Sequence, residues 1–233
     1  MKLLAVDYDG TYKTNLKNLY LNKIYLDEFR KKGNKLVIAT GRSFSSIKKE
    51  IKSYNIKYDY LACNNGLIIF NDKDEVLAKY PLEKDNLEFI KSITEKEVGI
   101  KSKKYYNETS STNNIESIIE VALKFQDKKS LKKFKDLLSN YFVSSGKSFN
   151  CYTDLKTCYL SEFITKYNAI EIITKLENIA SSDVYAVGDG TNDLEMLQAY
   201  NGYRVLFSTP SLWFKGLPVT REVYTLVKKL NRK

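Results

Sequence analysis

The chain has 233 residues, 43% of them hydrophobic, with 10 Gly and 3 Pro; this suits one well-cored domain, or a core with a smaller inserted module, and excludes low-complexity character. The formal net charge is +10, but the lysines are spread along the whole chain without a nucleic-acid motif, so they read as a basic soluble surface and not as an RNA or DNA site. The absence of histidine removes histidine triads and histidine metal sites.

Short apolar runs of strand length alternate with amphipathic stretches. The runs are Leu3-Leu4-Ala5-Val6, Leu36-Val37-Ile38-Ala39, Tyr60-Leu61-Ala62-Cys63 and Val184-Tyr185-Ala186-Val187, each the length of a buried parallel strand. Between them, helical faces are predicted at Leu16, Leu19, Tyr20 and Ile24, at Phe44, Ile47, Ile51 and Tyr54, and at Ala169, Ile173, Leu176 and Ala180. The alternation predicts an α/β fold, a Rossmann-like three-layer core around a parallel sheet. It breaks after residue 81. Two strand-like runs over 68–80 flank Asn71-Asp72-Lys73-Asp74, a predicted hairpin. Residues 82–161 read as an inserted α+β cap: a helix near 84–94, β-like runs at 116–123 and 156–160, a polar loop at 107–114, and a second helix carrying Leu131, Phe134, Leu138 and Tyr141 on one side. The core is therefore expected over 1–81 and 162–233. The three cysteines, Cys63, Cys151 and Cys158, are odd in number and lack metal-ligand spacing, which suits incidental thiols in a reducing compartment. With no signal peptide or membrane-length apolar run read in the sequence, a cytoplasmic protein without a membrane partner is the expectation, as a monomer or weak homodimer.

The informative residues follow the core strands. The first run ends in Asp7-Tyr8-Asp9-Gly10-Thr11, the second in Thr40-Gly41-Arg42, the third in Asn64-Asn65-Gly66, and the fourth in Gly188-Asp189-Gly190-Thr191-Asn192-Asp193. In an open parallel sheet, ligands bind beyond the carboxyl ends of the strands, so these polar turns converge on one crevice. Asp7, Asp9, Asp189 and Asp193 would crowd carboxylates there, raising one another's pKa unless a hard cation intervenes. An oxygen-only donor set with few ligands suits Mg²⁺ and not zinc. Such a site suits phosphoryl groups, because the cation lets an anionic nucleophile approach an anionic ester. A carboxylate is able to attack as an aspartyl nucleophile. Asp9, two residues on, reaches the leaving oxygen as general acid and then activates water as base. Thr40 and the Gly41 amide offer phosphate donors at a helix start, and Lys166, opening the helix before the fourth run, balances charge.

These elements, in this order, resemble the haloacid dehalogenase superfamily, and the position of the insertion resembles its Cof-type sugar-phosphatase branch. The resemblance covers roughly residues 1–81 and 162–200. It implies Asp7 as nucleophile and Mg²⁺ ligand, and Asp9 as acid/base with its backbone carbonyl on the metal. It further implies Asp189 as the third protein ligand, Asp193 supporting the metal through water, and the phosphoryl group held by the Tyr8 backbone, Thr40, Gly41, Lys166 and Asn192. The substrate it implies is a sugar phosphate or similar small phosphorylated metabolite, under a cap that closes and excludes water. The sequence departs from the branch over 203–233: Arg204 interrupts an expected apolar strand, and Ser208-Thr209-Pro210 replaces the usual loop. The cap is also short.

Each motif alone has a plainer reading. Asp-x-Asp after a strand is an ordinary turn or cap, Thr40 an ordinary helix N-cap, and Lys166 a solvated lysine. Arg42 reads as a structural residue bonding loop carbonyls or a nearby carboxylate. Asn65 reads as orienting the loops, Trp213 and Phe214 as local packing, and Lys128, Lys129, Lys132, Lys133 and Lys135 as a solvated helix face. Two rival functions share the core: a phosphotransferase or phosphomutase, and a non-catalytic phosphate-binding relative.

Overall fold

The computed structural model describes residues 1–96, 99–107, 118–145 and 149–232. The chain forms two compact units, Met1–Ala78 with Thr165–Lys233, and Lys79–Ile164.

The first unit is built on an eight-stranded sheet. Its strands are β1 (Leu3–Asp7), β2 (Lys35–Ala39), β3 (Tyr60–Cys63), β4 (Ile68–Asn71), β5 (Val76–Lys79), β10 (Val184–Gly188), β11 (Asn201–Val205) and β12 (Val219–Thr220). The spatial order is β12-β11-β10-β1-β2-β3-β4-β5. All neighbours from β12 to β3 are parallel, and β4 returns antiparallel beside β3. The predicted hairpin forms: Asn71 N–H donates to the Glu75 carbonyl at 3.0 Å, and Asp74 takes a φ of 67°. From β1 the chain steps outward to β2 and β3. It later re-enters at β10, on the opposite side of β1, so the strand order reverses between β1 and β10. Beyond their carboxyl ends lies the crevice where such sheets bind ligands.

Helices cover both faces, because β1 and β2 are apolar on both. On one face Ala5, Val37 and Ala62 pack against Ala169, Ile170 and Ile173 of α5 (Lys166–Leu176) and Met196 and Leu197 of α6 (Leu194–Ala199). The opposite side carries α1 (Leu16–Lys31), α2 (Phe44–Tyr54) and α8 (Val223–Leu230), with Tyr25 of α1 stacked on Tyr224 of α8. The face expected of α1 is corrected. Leu16, Tyr20 and Ile24 are exposed, and the buried stripe is Leu19, Asn22, Leu26 and Phe29. A polar residue sits on the core side because both ends of its amide are bonded: Asn22 Nδ2 donates to the Tyr12 carbonyl at 2.8 Å, and Oδ1 accepts from Tyr224 N–H at 2.8 Å. On α5, Leu176 is likewise exposed. Arg204 does not interrupt its strand; β11 pairs through it to both β10 and β12. Trp213, in α7 (Pro210–Trp213), donates its indole N–H to the Ser208 carbonyl at 3.0 Å. Phe214 is 90% exposed and packs on nothing of substance, contrary to expectation.

The second unit is an antiparallel four-stranded sheet, order β6-β7-β9-β8, of β6 (Ile100–Tyr106), β7 (Glu120–Phe125), β8 (Phe149–Asp154) and β9 (Thr157–Glu162). It carries α3 (Lys84–Lys96) and α4 (Lys128–Ser145). Leu131, Phe134 and Leu138 of α4 bury against Val121, Leu123 and Leu160, while Lys128, Lys129, Lys132, Lys133 and Lys135 face solvent. Strands β6 and β8 were not expected. Of the polar stretch 107–114, residues 108–114 lie outside the described residues, as do 116–117 of the run at 116–123. Among the described residues no helix is long and apolar enough to cross a membrane.

Candidate active site

Asp7 ends β1, and the chain turns at once: Tyr12 N–H donates to the Asp7 carbonyl at 3.0 Å and Lys13 N–H to the Tyr8 carbonyl at 2.8 Å. Gly10 makes this turn possible. Its φ is +81°, and a Cβ there would lie 2.5 Å from Asp189 Oδ2, so only glycine lets the loop lie against that carboxylate. Thr11 closes the same contact, its hydroxyl donating to Asp189 Oδ1 at 3.1 Å.

After β10, Asp189 and Asp193 enter from a loop ending in one turn of 3-10 helix, Thr191–Asp193. Asp193 is fully buried, and both its carboxylate oxygens accept hydrogen bonds. Oδ2 accepts the N–H groups of Asp189 at 3.0 Å and Gly190 at 2.9 Å, and Oδ1 accepts Lys166 Nζ at 2.7 Å. Lys166, also fully buried, donates in addition to Asp7 Oδ1 at 2.6 Å. It reaches this point because α5 begins against the β3 turn. Gly66 has a φ of +101°, and a Cβ there would stand 2.4 Å from the Thr165 carbonyl. Asn168 Oδ1 accepts the Thr165 N–H at 2.9 Å and caps the helix.

One ligand oxygen from each of Asp7, Asp189 and Asp193 lies within 4.8 Å of the others. Burial first, then the charges of Asp193 and Asp189, push the Asp7 carboxyl well above its ordinary value, against the pull of Lys166. Burial and Asp193 push Asp189 up as well. Burial opposes the Lys166 ammonium, but Asp193 and Asp7 outweigh it and hold the cation above the usual lysine range. One cation thus faces three carboxylates, and Asp7 Oδ2 is buried without a hydrogen-bond donor among the described residues. An unpartnered buried carboxylate oxygen is costly. The donor set is all oxygen, so a hard divalent cation fits the trio.

Asp9 is not in that trio. Its side chain is 54% exposed and is gripped by Arg42, whose Nε and Nη2 donate to the two carboxylate oxygens at 2.7 Å each. The expected crowd of four carboxylates is therefore three, with the fourth in a bidentate pair. Glu50 of α2 stands behind this pair. It accepts from the Tyr8 hydroxyl at 2.9 Å and Lys13 Nζ at 2.5 Å, and lies 3.4 Å from Arg42 Nη1. Sequence reasoning missed Glu50, because an acid on an amphipathic helix reads as solvent-facing. Thr209 was also missed. Its N–H and hydroxyl donate to the Asp189 carbonyl at 2.8 and 3.1 Å, so Ser208-Thr209-Pro210 buttresses the site.

The remaining expected residues gather at neighbouring strand ends. Thr40 is buried, its hydroxyl accepting the Arg42 N–H at 3.1 Å. Gly41 is exposed, next to Asn65. Asn192 Nδ2 donates to Asn65 Oδ1 at 2.9 Å, tying the β3 and β10 loops together.

Residues 4–100 and 90–207 match the haloacid dehalogenase-like hydrolase family. The chain belongs to that family. Among the curated relatives of this hydrolase, the Escherichia coli (strain K12) protein named 5-amino-6-(5-phospho-D-ribitylamino)uracil phosphatase YbjI is 22% identical over 232 residues, which are 85% of this chain and 82% of the relative. A haloacid dehalogenase-like hydrolase from B. subtilis shares the fold at a TM-score of 0.78 and 18% identity, over 99% of this chain and 100% of the other. A Thermotoga maritima protein does so at 0.78 and 16%, over 98% and 97%. Family membership, with a relative named as a phosphatase, supports a phosphatase enzyme.

Proposed function

We propose that this hydrolase is a Mg²⁺-dependent phosphomonoesterase that works through an aspartyl-phosphate on Asp7. The observation that carries the reading is the trio of Asp7, Asp189 and Asp193, in which, among the described residues, Asp7 Oδ2 is unpartnered and Lys166 is the single buried cation. Mg²⁺ would be held by Asp7 and Asp189, with the Asp9 carbonyl and, through water, Asp193. When bound it would offset charge on the non-bridging phosphate oxygens. Asp7 attacks phosphorus, and the phosphoryl group passes to its carboxylate as the alcohol leaves. Asp9 gives the alcohol oxygen its proton and then takes one from the water that hydrolyses the acyl phosphate. Lys166 fixes the Asp7 carboxylate, while the Tyr8 backbone, Thr40, Gly41 and Asn192 hold the phosphoryl oxygens. The substrate class is a sugar phosphate or similar small phosphorylated metabolite; the phosphoribityl compound in the E. coli relative's name is of that kind. A cytoplasmic location accords with the reading.

Phosphate release from a panel of phosphorylated metabolites and an aryl phosphate tests this. Release is expected with Mg²⁺ and without any acceptor, to be lost in EDTA and regained when Mg²⁺ is restored. Full turnover in EDTA would sink the metal role. Release only in the presence of an acceptor sugar would make the enzyme a phosphotransferase, and silence across the panel with Mg²⁺ bound would make it a binding protein.

Arg42 aims the acid/base. Arg42→Ala is expected to lower kcat by about tenfold, since it frees the Asp9 carboxylate from one orientation. The pair is largely solvated, so its loss should change stability by less than about 1 kcal/mol. An unchanged kcat in steady-state assays would show that Asp9 needs no such support.

A further inference from the structure

Two thiols in the second unit meet in a way that neither the family chemistry nor the phosphoryl site uses. Cys151 lies on β8 and Cys158 on β9, seven residues apart around a turn in which Leu155 takes a φ of 51°. In the β8–β9 ladder Cys151 pairs with Leu160, and Cys158 with Thr153. The cysteines are therefore diagonal neighbours whose side chains share the face turned to the unit's apolar core. Their sulfurs are 2.9 Å apart. A disulfide bond is about 2.05 Å long, so the sulfurs stand within about 1 Å of bonding distance.

The two sulfurs are not equivalent. Cys158 is fully buried, whereas Cys151 is half-buried. The hydrogen bond from Cys158, helped by the charge of Lys135 on α4, holds the Cys151 thiol below its ordinary value. The same bond, then burial, pushes Cys158 up. The accessible sulfur is thus the one placed to meet an external disulfide, and the buried one stands behind it to resolve the mixed disulfide. The third thiol, Cys63 on β3, lies buried in the other unit with its thiol pushed up by burial, and has no such neighbour among the described residues.

We propose that Cys151 and Cys158 are a redox-modification site that closes to an intramolecular disulfide when a small-molecule disulfide is supplied. The Cys151 thiolate attacks one sulfur of the oxidant and forms a mixed disulfide, expelling the other half as a thiolate. That thiolate takes the Cys158 proton. Cys158 then attacks Cys151 Sγ, breaks the mixed disulfide and releases the second thiol. The protein pair loses two electrons and two protons, and the oxidant becomes two thiols.

The test uses the full chain under native conditions with excess glutathione disulfide. After removal of reagent, thiol titration in denaturant is expected to fall from three groups to one. Peptide mapping should find Cys151 joined to Cys158, and dithiothreitol should restore all three thiols. In Cys158→Ser, checked for native circular dichroism, Cys151 should instead retain one glutathionyl group, because the resolving sulfur is gone. Three free thiols after treatment of the wild-type protein would overturn the proposal, as would a bond from either cysteine to Cys63 or to a second chain.

Discussion

Asp7→Asn is expected to reduce turnover of an aryl phosphate by about 10⁴-fold or more, since losing the nucleophile removes the covalent route and not one contribution among several. The geometry separates this loss from a folding defect. Asn keeps the size of Asp and can still accept from Lys166 at Oδ1. It also removes a carboxylate whose charged form is disfavoured by burial and by Asp193 and Asp189. The variant should therefore unfold at a temperature no lower than the parent in the presence of a chelator, while showing no burst of alcohol release with Mg²⁺ present. Retention of more than about a tenth of the rate would mean that water attacks phosphorus directly and that Asp7 only binds the cation.

Lys166→Met should act on stability as much as on rate. The ammonium is the only buried cation among the described residues, and it joins the carboxylate at the end of β1, Asp7, to one in the loop after β10, Asp193. Removing it leaves Asp193 Oδ1 without its donor in a fully buried place. Breaking a buried pair in this way costs about 3–5 kcal/mol. Urea denaturation in EDTA should show the midpoint falling with an unchanged slope. Mg²⁺ should recover part of the loss by binding the folded form. A loss under about 1 kcal/mol would place the pair with solvated ion pairs. The parent's dependence on pH has a fixed sign. The folded-state pKa of Lys166 lies above the ordinary lysine value, so its contribution is complete below that value and is lost as pH climbs through the raised one.

The layers and the site could be read from the sequence where local rules dominate. Leu3 to Val6 and Val184 to Val187 are apolar on both faces, and such runs have no stable home but the middle of a covered sheet. Polar turns then fall at their carboxyl ends by geometry. Legibility failed where tertiary partners override pattern. On α1 the core-facing stripe includes Asn22, whose amide bonds to Tyr12 and Tyr224, and residue 224 is far away in sequence. Strand β6 is lysine-rich, IKSKKYY, and only partly buried, so its alternation carries little signal. Glu50 and Thr209 acquire their places through contacts with Tyr8, Lys13 and Asp189, which no spacing reveals. Asp9 was placed correctly on the loop, but its pairing with Arg42 depends on how the ends of β1 and β2 turn toward each other.

The reversal of strand order beside β1 bears on how the protein comes into being. Leu3 pairs with Val184 and Val6 with Val187, and Asp7 meets Lys166 and Asp189 only once that pairing exists. The central ladder must close a loop of more than three quarters of the chain, and contacts so remote in sequence slow folding. During synthesis Asp7 emerges early, yet it has no counter-charge until some 160 further residues have followed, as the separation of Asp7 from Lys166 requires. Phosphatase activity should therefore appear last in refolding, after the secondary structure of the second unit, whose sheet contacts run between β6 and β9 and so stay local. Nascent chains halted before residue 189 should be inert however well their first strands have paired.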